Sequence, residues 1–313
     1  MSKKLLYFVV VILMFIGAVF FIGKRPFQQN QTVNNDKLQV ITTLYPLYDF
    51  VKNIGQDKVE AILLLPPGVE PHAFEPKPND VMVINQADVF VYTGKFMEVW
   101  AEDILKGVTN KNLKAVDTSK GIKLILSEFH DEDEPAGSSD PHIWLDFNNT
   151  QVMVDNITQG LVEKDPNNKD FYLANAVSYK KNLQELDESY RTTLNTCKIK
   201  DVVYGGHYAF GYLTKRYNLN YIAAQGIAPD SEPTANDMVN LVKQIKENGI
   251  KYVFYEELTS PKISETLAKE TGTQMLLLNA AHNVTKQDLS NGVSYLSIME
   301  ENLANLKIGL ECQ

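Results

Sequence analysis

Short runs of β-branched and aromatic residues alternate along the chain with segments whose apolar residues recur every three or four positions. After residue 37, the short runs predict strands over 38–46, 59–65, 88–94 and 113–118. The intervening segments predict helices over 47–55, 79–87 and 96–107. Strands that alternate with helices in this way predict parallel βαβ units.

The same alternation returns in the second half of the chain. Strands are predicted there over 200–206, 220–226, 251–257 and 273–279. The helices predicted over 234–249 and 260–272 have Thr234 and Ser260 as N-caps, and Pro261 stands at the first position of the second helix. Between the two halves, Asp165–Asn195 predicts one long helix. Its apolar positions near helical spacing are Leu173, Val177, Leu183, Leu186, Tyr190 and Leu194.

These elements predict an α/β protein with two lobes of parallel sheet flanked by helices, joined by one long rigid backbone helix. The predicted units are a membrane anchor or signal sequence (1–25), a tether (26–37), an N-terminal lobe (38–164), a linking helix (165–196) and a C-terminal lobe (197–313). The crevice between two such lobes is where a ligand is expected.

The N-terminus carries an uncharged apolar segment, Leu5–Gly23, flanked by lysines on one side and by Lys24 and Arg25 on the other. Its length is close to the roughly 20 residues that cross a bilayer. The sequence "FFIGKRP" is a poor cleavage site. An uncleaved anchor is the preferred interpretation, and a cleaved signal is the alternative. Both predict that the rest of the chain is extracytoplasmic, at the cell surface or on the periplasmic side.

Charge and cysteine content narrow the functional classes. The 313 residues carry a net charge of −9, which argues against a nucleic-acid partner because phosphate binding needs a basic surface. The two cysteines are Cys197 and Cys312. In an exported protein they predict one disulfide. Two free thiols are the alternative that the sequence leaves open.

Four of the five histidines occupy positions of one kind. His72, His207 and His282 each follow a predicted strand, and His142 precedes a helix predicted to begin near Asn149. In open parallel sheets, ligands bind beyond the carboxyl ends of the strands. Each histidine alone is explained as well by an ordinary loop or core position, but their shared placement favours a common site. Four neutral imidazoles suit tetrahedral Zn²⁺. His282 is the weakest member of the set.

Several segments resemble the cluster A-I substrate-binding proteins of ABC metal importers, which take up zinc or manganese. They are "TLYPLYDFVKNIG", "LLPPGVEPHAFEPKPND", "DPHIWLD", "HYAFGYLTKRYNL", "GIAPDSEPTANDM", "YEELTSPKISETLAKETG" and "YLSIMEENLANLK". The resemblance implies metal ligands at His72, His142 and His207. Manganese-type members usually have a carboxylate at the third position, so His207 indicates the zinc-uptake subgroup.

The fourth family position is usually acidic, in a segment like "LNPLEGLT". This chain has "LNAAHNVT" there, with His282 in place of the acid. The fourth ligand is therefore left open between His282, a nearby carboxylate and water.

The resemblance implies a function as well as a fold. The expected protein is a monomer that captures Zn²⁺ as a transported ligand and delivers it to an ABC permease, without acting as an enzyme. The alternatives are a manganese-binding importer component, an adhesin of the same family, and a zinc-dependent hydrolase. The acidic loop Ser127–Asp140, which contains His130, is either a solvated surface loop or a weak secondary cation collector.

Overall fold

The computed structural model describes residues 37–126, 139–226 and 233–313, which all belong to one compact unit, Lys37–Gln313. The apolar segment Leu5–Gly23, all of the tether except Lys37, and most of the acidic loop lie outside the described residues. Within the described part of the chain, no helix is both long and apolar enough to cross a membrane.

The described chain contains two four-stranded sheets in which every pair of neighbouring strands is parallel. The strands of the first sheet are β1 Leu38–Thr42, β2 Val59–Leu63, β3 Val89–Tyr92 and β4 Lys114–Asp117, in the order β2-β1-β3-β4. Those of the second are β5 Asp201–Tyr204, β6 Asn220–Ala223, β7 Tyr252–Tyr255 and β8 Gln274–Leu277, in the order β6-β5-β7-β8. The two lobes therefore repeat one topology.

Helices connect the strands and link the two sheets. They are α1 Tyr45–Gly55, α2 Pro78–Gln86, α3 Ala101–Gly107, α4 Phe147–Lys164, α5 Lys169–Asn195, α6 Gly211–Arg216, α7 Ala235–Glu247, α8 Lys262–Thr271, α9 Lys286–Asn291 and α10 Tyr295–Gly309. The predicted class, two lobes of parallel sheet with flanking helices and a long helix, is confirmed.

Several element boundaries differ from the prediction. β1 ends at Thr42 because Pro46 stands in the first turn of α1, where its fixed φ suits a helix. Thr234 caps α7 as predicted, whereas α8 begins at Lys262, with Pro261 in the capping position predicted for Ser260. Helix α6 has no counterpart among the predicted elements.

Helix α3 begins at Ala101, five residues later than predicted, because of the buried carboxylate of Glu98. Glu98 is 3% exposed and accepts hydrogen bonds from the backbone N–H groups of Thr93 and Gly94 and from the hydroxyl of Thr43. These bonds satisfy groups at the ends of two strands. The segment before α3 therefore folds around a buried acid and forms separate turns, which are not continuous with the helix.

The long helix α5 is preceded by a 3₁₀ turn, Pro166–Asn168, so that the predicted helix over 165–195 has a separate first turn. Its buried face also differs from the prediction in its first half, where Leu173 is 42% and Val177 66% exposed. Two tyrosines replace them in the core: Tyr172 donates to Asp165 and Tyr179 to Asp49. These hydroxyls find acceptors, which allows the rings to be buried.

One apolar core continues through both lobes and α5. It includes Phe50 of the first lobe, Leu183 of α5 and Leu213 of the second lobe, all 0% exposed. Smaller clusters around Phe90 and Val203 each contain buried residues of one lobe only. A shared core stabilises the relative position of the lobes, because separating them would expose apolar surface.

Cys197 and Cys312 are joined by a disulfide in the structure, which ties the end of the chain to the segment after α5. The bridge spans 115 residues. A loop of that length is expected to contribute about 4–5 kcal/mol in the chain-entropy estimate. We therefore predict no reactive thiol in unreduced, denatured protein, and a lower midpoint of urea unfolding for Cys197→Ser. Two titratable thiols per chain in the unreduced protein would contradict this prediction.

Candidate metal centre

The structure brings together all four of the histidines singled out in the sequence. His72 lies in the loop after β2, His207 follows β5, His282 follows β8, and His142 precedes the 3₁₀ turn Ile143–Leu145. One ligand atom from each of the four lies within 4.8 Å of the others. We call these four side chains the imidazole cluster. Its members come from both lobes.

The four rings of the imidazole cluster lie at the corners of a nearly regular tetrahedron. All six distances between ring centroids fall between 5.0 and 5.7 Å. The centre of such a tetrahedron is about 3.2 Å from each ring centre, which equals a Zn–N bond of about 2.0–2.1 Å plus roughly 1.1 Å from nitrogen to ring centre.

The distances between the ligand nitrogens also agree with those of a tetrahedral zinc site. The Nε2 atom of His142 lies 3.3 Å from the Nε2 atoms of both His72 and His207. Two ligand nitrogens of a tetrahedral zinc ion are separated by about 3.3 Å when each Zn–N bond is about 2.0 Å. The arrangement therefore has the dimensions of a tetrahedral site with four nitrogen ligands.

Carboxylates lie behind two of the imidazoles at close range. His142 Nδ1 is 2.7 Å from Asp140 Oδ1, and His207 Nδ1 is 2.7 Å from Glu256 Oε1. His142 Nδ1 forms a hydrogen bond with Asp140, whereas His207 Nδ1 and Glu256 are in ion-pair contact without hydrogen-bond geometry. An Nδ1–H that is donated to a carboxylate, as at His142, leaves the Nε2 lone pair available to a metal ion. Both imidazoles are fully buried, so their lone pairs face the centre of the cluster without access to bulk solvent.

His282 also has a carboxylate behind its ring, but at a longer distance. His282 Nδ1 lies 3.5 Å from Glu257 Oε1, and the other oxygen of Glu257 accepts the backbone N–H of Ala280 at 2.9 Å. His282 is 3% exposed, and its Nε2 has no hydrogen-bond partner among the described residues. A buried nitrogen without a partner is costly. A cation at the centre of the cluster would satisfy it.

Two residues of the sequence, Gly206 and Trp144, help to position the imidazoles and carboxylates of the site. Gly206 allows Glu256 to approach the backbone beside His207, because a Cβ atom at that position would collide with the Glu256 carboxylate. Trp144 is fully buried, and its ring packs edge-on against the rings of His142 and His282, with centroids 5.4 Å apart in both cases. These contacts restrict the imidazoles to the rotamers observed.

The pKa values of the imidazole cluster fall into two groups. Burial, followed by the neighbouring imidazoles, holds the pKa of three members well below the ordinary histidine value. His207 is the exception: burial lowers its pKa, but the carboxylates of Glu256 and Glu257 outweigh burial, so that its pKa is raised. Burial and the charge of Glu256 raise the pKa of Glu257 to about 8.

The carboxylates behind the imidazoles were not among the site residues predicted from the sequence. Asp140 lies two residues before His142 in "DPH", and Glu256 and Glu257 end the predicted strand "KYVFYEE". The signal visible in the sequence was the position of both acids at the end of a predicted strand. In the structure β7 lies next to both β5 and β8, so acids after β7 meet histidines that follow its neighbours. His130 belongs to the segment outside the described residues.

Known proteins share this architecture. The family model of ZnuA, the periplasmic component A of the zinc-uptake complex, matches residues 40–309. The chain belongs to this family. The resemblance to zinc-type substrate-binding proteins in the sequence is thereby confirmed.

Individual members of the ZnuA family match most of the chain. The high-affinity zinc uptake system protein ZnuA of Bacillus subtilis is 38% identical over 282 residues, 88% of each protein. The zinc-binding lipoprotein AdcA of Streptococcus pneumoniae is 34% identical over 89% of this chain, which spans 57% of AdcA. The crystal structure of the Zn(II)-bound ZnuA-like domain of S. pneumoniae AdcA is 35% identical, with a TM-score of 0.76, and covers 88% of this chain and 99% of that domain.

Proposed function

We propose that the protein captures Zn²⁺ outside the cytoplasm in the imidazole cluster and delivers it to an ABC-type permease. The observation that carries the proposal is the tetrahedral arrangement of four imidazoles at the spacing of Zn–N bonds. Membership of the ZnuA family supports the zinc-uptake role. His282 is the proposed fourth ligand, in place of the acidic residue usual in the family.

The site supports binding without catalysis. A zinc hydrolase keeps one coordination position open for water and places a general base beside it. Four imidazoles occupy all four tetrahedral positions. The loop that carries His72 contains two acids that could serve as such a base, Glu70 and Glu75. Glu75 is exposed, and the carboxylate of Glu70 accepts the backbone N–H of Ala73 in the same loop.

The proposed location is the extracytoplasmic side of the membrane. The family is described as periplasmic, and the S. pneumoniae relative is named a lipoprotein. In this chain the cysteines stand at 197 and 312, far from the N-terminus. We therefore assign membrane attachment to Leu5–Gly23, with the two lobes and linking helix forming the metal-binding body.

A growth experiment tests the proposed function. Cells that lack this protein are expected to need more zinc in chelator-treated medium, and added manganese is expected not to restore growth. The wild-type gene should restore growth, and the gene carrying His207→Ala should not, at equal protein levels. Full restoration by the His207→Ala gene would contradict the proposal.

Zinc binding is expected to release fewer than three protons per ion at pH 7. The pKa of His207 is raised and that of Glu257 is about 8, so these two groups are the expected proton sources. The pKa of each of the other three imidazoles is held well below the ordinary histidine value, so that these three are already neutral. Zinc must displace the proton of a ligand. Affinity therefore falls as pH is lowered through the raised pKa of His207. Calorimetry in buffers of different ionisation enthalpy measures the count, and release of three or four protons at pH 7 would contradict these assignments.

A further inference from the structure

His72 is the member of the imidazole cluster whose orientation is least explained by its own contacts. In the described part of the chain, no carboxylate pairs with its ring, unlike the rings of His142, His207 and His282. It is also the member that is not fully buried. The loop that carries it, residues 64–77, must therefore be held in place by other groups.

One side chain from the opposite lobe binds the start of this loop. The Nδ2 of Asn283 donates to Pro66 O at 2.8 Å and to Val69 O at 2.9 Å. Val69 N–H in turn donates to Pro66 O, closing a turn in which Gly68 has φ of +84°. Both N–H groups of the amide are used, and Asn283 is 0% exposed. The turn ends three residues before His72.

The segment that carries Asn283 also carries His282 and is bound to the first lobe at two further points. His282 O accepts the backbone N–H of Tyr45 at the start of α1, at 3.2 Å. Ala280 O accepts Nε1–H of Trp144 at 2.7 Å. The segment 279–284 follows β8 of the second sheet, yet it is hydrogen-bonded to the first lobe at the His72 loop, at the turn that follows His142 and at the start of α1.

We propose that Asn283 is a positioning residue for His72. Its two hydrogen bonds, which we call the Asn283 clip, join the His72 loop to the segment that carries His282, so that imidazoles from the two lobes approach a metal ion as one unit. The inference rests on the proposed zinc-binding function. A fixed turn reduces the loop entropy that metal binding would otherwise have to overcome. Groups that orient ligands in this indirect way typically change metal affinity about 10–100-fold when removed.

A double-mutant cycle tests the positioning role. In otherwise wild-type protein, Asn283→Ala is expected to weaken zinc binding about 10–100-fold. In a His72→Ala background the same change should cost less than about threefold, since the side chain that it positions is gone. Equal losses in both backgrounds would overturn the proposal, because they would indicate a general structural role.

Asn302 provides the matched control. It is 1% exposed and makes two hydrogen bonds to the backbone of Asn279, at 2.8 and 2.7 Å, and so holds the same segment from α10 without touching the His72 loop. Whatever affinity Asn302→Ala loses should be lost equally with and without His72. If the affinity lost in Asn302→Ala instead becomes smaller in the His72→Ala background, as expected for Asn283→Ala, the effect is not specific to Asn283 and the proposal fails.

A measurement on metal-free protein separates this inference from the proposed function. Asn283→Ala, or the isosteric Asn283→Asp if the alanine variant unfolds, should speed hydrogen exchange at Val69 and Phe74, while Asn302→Ala should not. Unchanged hydrogen exchange at Val69 and Phe74 would contradict the positioning role of Asn283, but it would not contradict zinc capture. Failure of the wild-type protein to bind zinc, with faster exchange in the variant, overturns the proposed function and the role of the clip in metal binding.

Discussion

Replacing His207 by alanine is expected to weaken zinc binding by on the order of a hundredfold or more. Four-ligand zinc sites bind with about 10–16 kcal/mol, so that one ligand in four accounts for roughly 2.5–4 kcal/mol. The change also leaves the carboxylate of Glu256 buried without its imidazole partner, 2.7 Å away in the structure. Competitive titration against a chelator of known affinity measures the loss.

His130→Ala is the matched control for that titration, because His130 is the one histidine of the sequence besides the four named as the imidazole cluster. Its affinity should equal that of the wild-type protein. Equal affinities for wild type and His207→Ala would show that zinc binds elsewhere. Circular dichroism of both variants checks that they are folded.

Zinc is expected to bind at least roughly a hundredfold more tightly than manganese, since imidazole nitrogen favours zinc and the divalent order places manganese lowest. The cluster offers four nitrogens, and the nearby carboxylates of Asp140 and Glu256 lie on the Nδ1 side of the rings, away from the shared centre. Competition between the two ions on one sample measures the ratio.

His282→Glu sharpens the test of selectivity. The substitution exchanges one nitrogen for an oxygen donor at the same corner of the tetrahedron, and manganese prefers oxygen. The zinc-to-manganese ratio should therefore decrease in this variant. An unchanged ratio would mean that residue 282 does not contact the metal, and manganese binding as tight as zinc in the wild-type protein would contradict the zinc assignment itself.

The arrangement of the four histidines follows from features that a sequence displays. Strands followed by helices predict parallel sheets, and residues after such strands meet at one edge. His72, His207 and His282 could be selected on that ground alone. His142 does not follow a strand of either sheet, and the sequence feature that points to it is its position before a helix.

Other features depend on contacts that a linear pattern does not contain. Tyr172 and Tyr179 are polar enough to suggest the outer face of α5, yet both are buried because Asp165 and Asp49 accept their hydroxyls. In the sequence, Glu98 is an ordinary residue of a predicted helix. In the structure its carboxylate accepts hydrogen bonds from groups at the ends of two strands. Each case involves a polar group whose burial depends on a partner distant in sequence or in another element.

The acids behind the imidazoles were missed for the same reason. The positions of Glu256 and Glu257 at the end of a strand were visible in the sequence, but acidic residues are common at such positions. Their pairing with His207 and His282 depends on β7 lying between β5 and β8, an order that the sequence alone did not give.

Diffraction from zinc-loaded crystals, recorded above and below the zinc absorption edge, tests the central claim most directly. We predict one strong anomalous peak per chain at the centre of the imidazole cluster, with four nitrogen ligands at about 2.0–2.1 Å, from His72, His142, His207 and His282. A peak elsewhere, or a peak in the cluster whose fourth ligand is a carboxylate or water while His282 stays unbound, would contradict the four-imidazole account.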